Sequence, residues 1–216
     1  SRLQLYSRSS LAAPVPSVFG TDVYLQNAGL DSIAVFGDVT VPLGERVRVF
    51  GGLRYSKDDK DYRIDNRAST ALFRASERFN VAASDSFDAV TYRGGIDFKP
   101  TEDLLLYGQV SKGFKSGGYQ DTPGTAASAV VSFKPEYATQ FEIGQKGEFF
   151  GGKLIWNNTL YYIDYKDLQA RQVVGLGVIV SNAGKATIKG YETQAIIRPF
   201  RGAQLDLAYA YTDAKF

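Results

Sequence analysis

The feature that most constrains this chain is a period of two that recurs in runs of about ten residues. In "AQLDLAYAY", Leu205, Leu207, Tyr209 and Tyr211 alternate with Gln204, Asp206, Ala208 and Ala210. In "RVRVFGGLRY", Val47, Val49, Leu53 and Tyr55 alternate with Arg46, Arg48 and Arg54. In "YATQFEIGQKGEF", Tyr137, Phe141, Ile143 and Phe149 oppose Gln140, Glu142, Lys146 and Glu148. Ile33, Val35, Val39 and Val41 repeat the pattern, as do Val90, Tyr92, Ile96 and Phe98. Successive side chains of an extended strand point to opposite faces, so these runs are strands with one apolar and one polar face. "LIWNNTLYYIDY" is aromatic on both faces, and its orientation stays open.

The punctuation is as informative as the strands. Tight turns fall at "PLGE" (42–45), "KPTED" (99–103), "FFGGK" (149–153) and "PFRGA" (199–203). Long polar connections fall between them, at about 57–87, 115–135 and 170–184. Short turns therefore alternate with long loops, as they do in an outer-membrane barrel, whose periplasmic turns are short and extracellular loops long. Runs of about ten residues suit a tilted membrane-crossing strand better than a globular strand of about five or six. A large soluble β-sandwich is the alternative, but it has no reason to place every long loop at one end. About nine strands are expected, counting "RLQLYS" near the start.

Composition narrows the chemistry. Aromatic residues reach 13%, with 22 glycines, which favours strands and turns over helices. Cysteine and histidine are absent, so the chain lacks thiolate ligands, disulfides and the commonest general base. No nucleophile with its base is found, and an enzyme is not expected; no cofactor is expected either. The net charge of +2, without a Lys/Arg block, argues against a nucleic-acid partner. No run approaches the roughly 20 apolar residues of a transmembrane helix. The chain opens on Ser1 and contains no Met, so it is expected to be processed or part of something longer.

One segment imitates a nucleotide site. "LLLYGQVSKGFKSGGYQ" (104–120) runs from an apolar strand into a Gly- and Lys-bearing turn. Gly108 and Gly113 have phosphate-loop spacing, but Phe114 stands where the lysine must be. No helix follows Gly117-Gly118 to present its N-terminus to an anion. The segment is better read as an outward-running strand entering an extracellular loop, its glycines serving backbone freedom and close packing. Gly184-Lys185 fails the same test on spacing.

Several stretches, in order, resemble one family. "IAVFGDVTVPLGERVRVFGGLRYSKD" (33–58), "VSKGFKSGGY" (110–119), "KPEYATQFEIGQKGEF" (134–149), "LYYIDYKDLQ" (160–169) and "NAGKATIKGYETQ" (182–194) are similar to the barrel of TonB-dependent outer-membrane receptors. The resemblance implies an all-β fold, an antiparallel meander that is part of a barrel of about 22 strands. Residues 1–216 are then a partial barrel, with the plug and the closing strands outside this chain. It further implies a bacterial outer-membrane location and import of a ferric siderophore or other scarce nutrient, driven by the TonB complex through the plug. Outer-membrane lipid and lipopolysaccharide are expected surroundings. A passive porin and a structural or adhesive barrel are the alternatives.

Candidate sites follow from face and loop. Arg46, Arg48, Arg54, Arg93, Gln109, Glu142, Lys146, Glu192 and Gln194 are expected to face the lumen, pairing with one another or with a plug, or lining a ligand path. The loop "YRIDNRASTALFRASERFN" (62–80) carries Arg63, Arg67, Arg74 and Arg78 with Tyr62, Phe73 and Phe79. Arginine offers bidentate donors and aromatics offer flat stacking surfaces, a mix suited to an anionic ferric chelate. A solvated loop, or one that binds lipopolysaccharide phosphates, explains the same composition. Asp58, Asp59, Asp61 and Asp65 lack the glycine and terminal glutamate of a calcium loop, so no metal site is assigned.

Overall fold

A computed structural model describes residues 2–9, 21–67, 78–174, 177–182 and 184–216. Its strands are β1 (Arg2–Ser9), β2 (Thr21–Leu43), β3 (Val47–Asn66), β4 (Phe79–Thr101), β5 (Leu104–Lys115), β6 (Glu136–Phe149), β7 (Leu154–Lys166), β8 (Gln169–Val174), β9 (Gly177–Asn182), β10 (Lys185–Ile197) and β11 (Leu205–Lys215). Among the described residues a single short helix, α1, spans Ala126–Ala129. Nine strands form one sheet in the order β1-β2-β3-β4-β5-β6-β7-β10-β11, and every pair is antiparallel. The expected meander of about nine strands is what forms.

The four predicted tight turns join β2 to β3, β4 to β5, β6 to β7 and β10 to β11, all at one end of the sheet. Gly44 (φ 79°) and Gly202 (φ 89°) adopt the left-handed conformation that closes two of them, which side chains with a Cβ rarely accept. Arg46 lies in the first turn rather than on a strand, because β3 begins only at Val47.

Register assigns the two faces. Val35 pairs with Tyr55, Val41 with Val49, and Val49 in turn with Ile96. Ile143 pairs with Leu160, and Ile197 with Leu205. Directly paired residues share a face, so from β2 to β11 the part of the sheet nearest the tight turns has one apolar face. Its large side chains remain exposed, among them Val35 at 69%, Leu207 at 49% and Tyr209 at 60%. A broad exposed apolar surface is what a lipid-facing wall requires. Val47, Val49, Leu205, Leu207 and Tyr209 lie on this face as expected. The opposite, inner face carries Arg48, Arg54, Arg93, Glu142 and Glu192.

The orientation of "LIWNNTLYYIDY" is now fixed. Trp156, Asn158, Leu160 and Tyr162 face outward, and Asn157, Thr159 and Tyr161 face inward. Asn158 and Gln145 are thus amides on the apolar face, and they satisfy one another. Asn158 Nδ2 donates to Gln145 Oε1 at 2.6 Å, and the Tyr191 hydroxyl donates to Asn158 Oδ1 at 2.6 Å. Trp156 Nε1 donates to Thr193 Oγ1 at 3.0 Å. In lipid an unpaired polar group is costly, which accounts for this closed set of bonds.

Two expected connections are strand instead. The β3–β4 ladder runs without a break from Val47↔Phe98 to Asn66↔Phe79, so most of the expected 57–87 loop is hairpin. At about 3.3 Å per residue the hairpin is roughly 65 Å long, about twice what a membrane crossing needs. Beyond the bilayer its outward residues meet water. There Lys57, Asp59, Asp61, Arg63 and Asp65 replace the apolar row, which is why hydrophobic alternation stops while the strand continues. The expected 170–184 connection contains the β8–β9 hairpin, paired from Gln169↔Asn182 to Val174↔Gly177.

Candidate functional site: the inner face and the loop docked on it

On the membrane portion of the inner face two of the expected arginines are in ion pairs, with acids outside the expected set. Arg48 bonds Asp97 at 2.6 Å and Arg93 bonds Asp38 at 2.7 Å. Arg54 lies over the Phe36 ring, 5.8 Å from its centroid, and donates to Ser56. Lys146 lies over the Tyr107 ring at 5.6 Å, and Gln140 donates to Glu142 at 2.7 Å.

Three contacts on this face share one construction. Asp38, Gly52 and Arg93 are neighbours in one row across β2, β3 and β4, and the ion pair passes over the glycine. Tyr107 passes over Gly144 to Thr159 (3.1 Å), and Tyr161 passes over Gly190 to Thr212 (2.9 Å). In each row a side chain spans two strand spacings because the middle residue has no Cβ.

Above the membrane the connection between β5 and β6, residues 116–135, folds back across the inner face of the β2–β4 extension. Tyr24, Tyr62, Ile64, Phe79 and α1's Ala129 form a buried cluster there, with Val81, Tyr119 and Ala126 against it. Tyr62 and Tyr119 stack with ring centroids 5.0 Å apart. The polar bonds go to the loop's backbone: Tyr62 to the Gln120 carbonyl at 2.7 Å, Tyr24 to that of Pro123 at 3.2 Å, and Gln26 to that of Asp121. Lys60 donates to the Gly117 carbonyl at 2.5 Å, and the Ser132 hydroxyl to Asp85 at 2.5 Å. A Cβ on Gly117 would strike the Phe133 carbonyl and the Phe87 ring, so the glycine serves close packing, as expected.

The β8–β9 hairpin holds the loop from its other side. Gln120 exchanges two bonds with the Val180 backbone, at 2.7 and 2.6 Å, and Arg171 pairs with Asp121 at 3.0 Å. Burial pushes the Tyr62 hydroxyl well above its ordinary pKa, with the nearby Asp121 charge adding to the effect. Burial likewise lowers the Lys60 ammonium, opposed by the Asp58 charge.

The arginine- and aromatic-bearing loop is divided by this geometry. Arg63 is on the outward side of β3, exposed, and bonds Asn80 at 3.3 Å. Arg67 is exposed and pairs with Asp65 at 2.8 Å, and Arg78 is exposed beside it at the hairpin end. Phe79 faces inward and is only 8% exposed, packed in the cluster under the loop, so it offers no stacking surface. Phe73 and Arg74 lie outside the described residues. The β3 alternation also splits Asp58, which faces inward, from Asp59, Asp61 and Asp65, which face outward.

The docking partners Tyr24, Gln26, Lys60, Gln120 and Asp85 were not legible as a group. They come from four separate segments, and only the β2–β3–β4 register and the loop's return bring them together.

Comparison with known proteins agrees with this architecture. The family described as TonB dependent receptor-like, beta-barrel, matches residues 2–216. The chain belongs to the TonB-dependent receptors. The pesticin receptor of Yersinia enterocolitica is 28% identical over 178 residues, covering 80% of this chain and 25% of that protein. The metal-pseudopaline receptor CntO of Pseudomonas aeruginosa is 25% identical over 186 residues, covering 86% and 24%. Among solved structures, the ferric yersiniabactin uptake receptor FyuA from Yersinia pestis superposes with a TM-score of 0.74 at 22% identity, over 93% of this chain and 29% of that one. The chain thus spans about a quarter of the length of the relatives it matches. As in other TonB-dependent receptors, the apolar face is the lipid-facing wall of an outer-membrane barrel, and the tight turns mark its periplasmic end.

Proposed function

We propose that residues 1–216 are part of the barrel wall of a receptor that imports a scarce metal chelate, most simply a ferric siderophore, with energy from the TonB complex. The plug that couples to TonB and the strands that close a barrel of about 22 are supplied by other parts of the protein. No catalytic step belongs to this reading. The observation that carries it is the docked loop: residues 116–135 pack on the inner face of the β2–β4 extension beyond the membrane band. The names of the pesticin, metal-pseudopaline and ferric yersiniabactin receptors support the same class of ligand.

In this reading Arg63, Arg67, Arg74 and Arg78 attract an anionic chelate to the outer rim, acting through screened charge rather than as a closed pocket. Phe73 is proposed as a stacking ring for the same chelate, whereas Phe79 supports the fold beneath the loop. The test is energised uptake by the complete protein. Deleting its gene should abolish uptake of one ferric chelate and impair growth under iron limitation. Replacing the four arginines by Ala should weaken chelate binding more at low salt than at high salt. Large, steady ion conductance with uptake indifferent to the proton gradient would replace this reading with a passive porin. Unchanged affinity in the quadruple variant would remove the arginines from the site.

A further inference from the structure

The outward face of β5, β7, β10 and β11 carries five lysines at the extracellular edge of the apolar band, and we propose that this sector binds the phosphorylated headgroups of the outer-leaflet glycolipid. Register places them closely. Lys112 and Lys215 end one row, with Thr139, Asp164 and Thr187 between them. Lys166 and Lys185 are direct cross-strand partners in the next row outward. Lys189 sits one row nearer the band, 3.5 Å from Asp213.

Two features point to an anionic ligand. Like charges directly opposite on neighbouring strands repel, yet Lys166 and Lys185 are both exposed and neither has a carboxylate within 4.0 Å among the described residues. A phosphate between them turns that repulsion into a bridge. The second feature is position. Phe141 and Tyr162 share the row of Lys189, immediately below the other two, their rings 6.5 Å apart, where aromatic side chains mark the headgroup boundary. Lys112 is held against the Tyr137 ring, its ammonium 4.6 Å from the centroid. Ammonium groups at that depth meet phosphates, for which lysine is an effective point-charge partner.

The surface is one-sided. Across the row of Lys112, β4 and β3 present Tyr92 and Leu53 instead of lysine. The outward charges of β2–β4 begin two outward rows beyond Tyr92, with Lys57, Asp88, Asp31, Asp59 and Asp61, where acids predominate and repel phosphate. Phosphorylated glycolipid is therefore held along β5–β11 and not along β2–β4. The inference rests on the membrane orientation alone and is independent of what the receptor imports.

The experiment uses the complete protein, purified and stripped of native lipid, and native mass spectrometry to measure retention of bisphosphorylated lipid A. Dephosphorylated lipid A and inorganic phosphate are the comparison probes. Each lysine near an anionic lipid surface contributes about fivefold in affinity. A variant carrying Lys166→Gln, Lys185→Gln and Lys215→Gln should thus lose about a hundredfold, and Asp31→Asn with Asp59→Asn should lose none. Heat-modifiable migration checks folding of each variant. Should the triple variant not fold, Lys166→Gln and Lys185→Gln singly should each lose about fivefold. Equal retention by wild type and folded lysine variants overturns the proposal, as does equal binding of dephosphorylated lipid A. Displacement of the lipid by inorganic phosphate would mark a free-anion site and overturn it too.

Discussion

Gly144 and Gly190 lie beneath the rings of Tyr107 and Tyr161, and a Cβ on either would sit 2.5 Å from ring atoms. At Gly190 the backbone carbonyl of Tyr211 is equally close, so there the ring cannot yield alone. Gly144→Ala should displace the Tyr107 ring, break its bond to Thr159 and cost about 1–3 kcal/mol, with Gly190→Ala at the upper end. Urea unfolding of the complete receptor in liposomes measures both, and an unchanged midpoint for Gly190→Ala would refute the geometry. A second residue-scale effect is pH dependence of loop docking. Tyr62 is held neutral by burial, its pKa raised above the ordinary 10.0. A raised folded pKa gives stability that is complete below the unfolded value and lost as pH climbs through the folded one. Lys60 acts in the opposite sense: its lowered pKa is a cost at neutral pH that disappears as pH approaches the ordinary lysine value of 10.5. Spin-label distances between the 116–135 loop and β3 should stay short through neutral pH and lengthen only in strong alkali. In Tyr62→Phe that alkaline opening should be lost.

The β3–β4 hairpin joins two environments in one uninterrupted ladder. Its lower half is membrane wall; its upper half is the base on which the β5–β6 connection rests. These halves are separable. Removing residues 60–85 and joining the cross-strand partners Asp59 and Ser86 through an Asn-Gly turn leaves more than the roughly 9–11 residues that a crossing strand needs. The shortened receptor should keep heat-modifiable migration. The 116–135 connection, having lost Tyr62, Ile64 and Lys60, should become sensitive to brief proteolysis. Continued resistance would mean that Tyr24 and Gln26 of β2 together with the β8–β9 hairpin suffice to hold the loop. The sequence shows why the upper half was hard to read. Val47, Val49 and Leu53 face lipid and betray the strand, whereas Asp59, Asp61 and Arg63 occupy the same face in water and look like loop.

For the whole molecule the decisive property is that the membrane-crossing part of the sheet, β2–β7, β10 and β11, has one apolar face and one polar face. Leu207→Arg places a charge on the lipid side and should cost about 2–4 kcal/mol if it lies near the bilayer midplane, less if nearer an interface. Asp206→Arg, one residue away but facing inward, should change stability little. Single-cysteine labelling in native membranes gives an independent check: position 206 should react with a water-soluble reagent much faster than position 207. Similar rates would mean that the faces are reversed or the register shifted by one.

Alternation, turn chemistry and loop asymmetry were enough to determine the strand order, the lipid-facing set and the membrane class, because each depends on local geometry and on the solvent a single strand meets. What the tertiary structure decided lies where lipid no longer filters the sequence. There Phe79 could be read as a ligand-stacking surface, although it is buried beneath a loop that begins far along the chain. The bridges over Gly52, Gly144 and Gly190, and the docking of Gln120 on Tyr62 and Val180, unite residues that no sequence period connects. Their neighbours are set by register across three strands and by a loop's return path, and neither is encoded in any one segment.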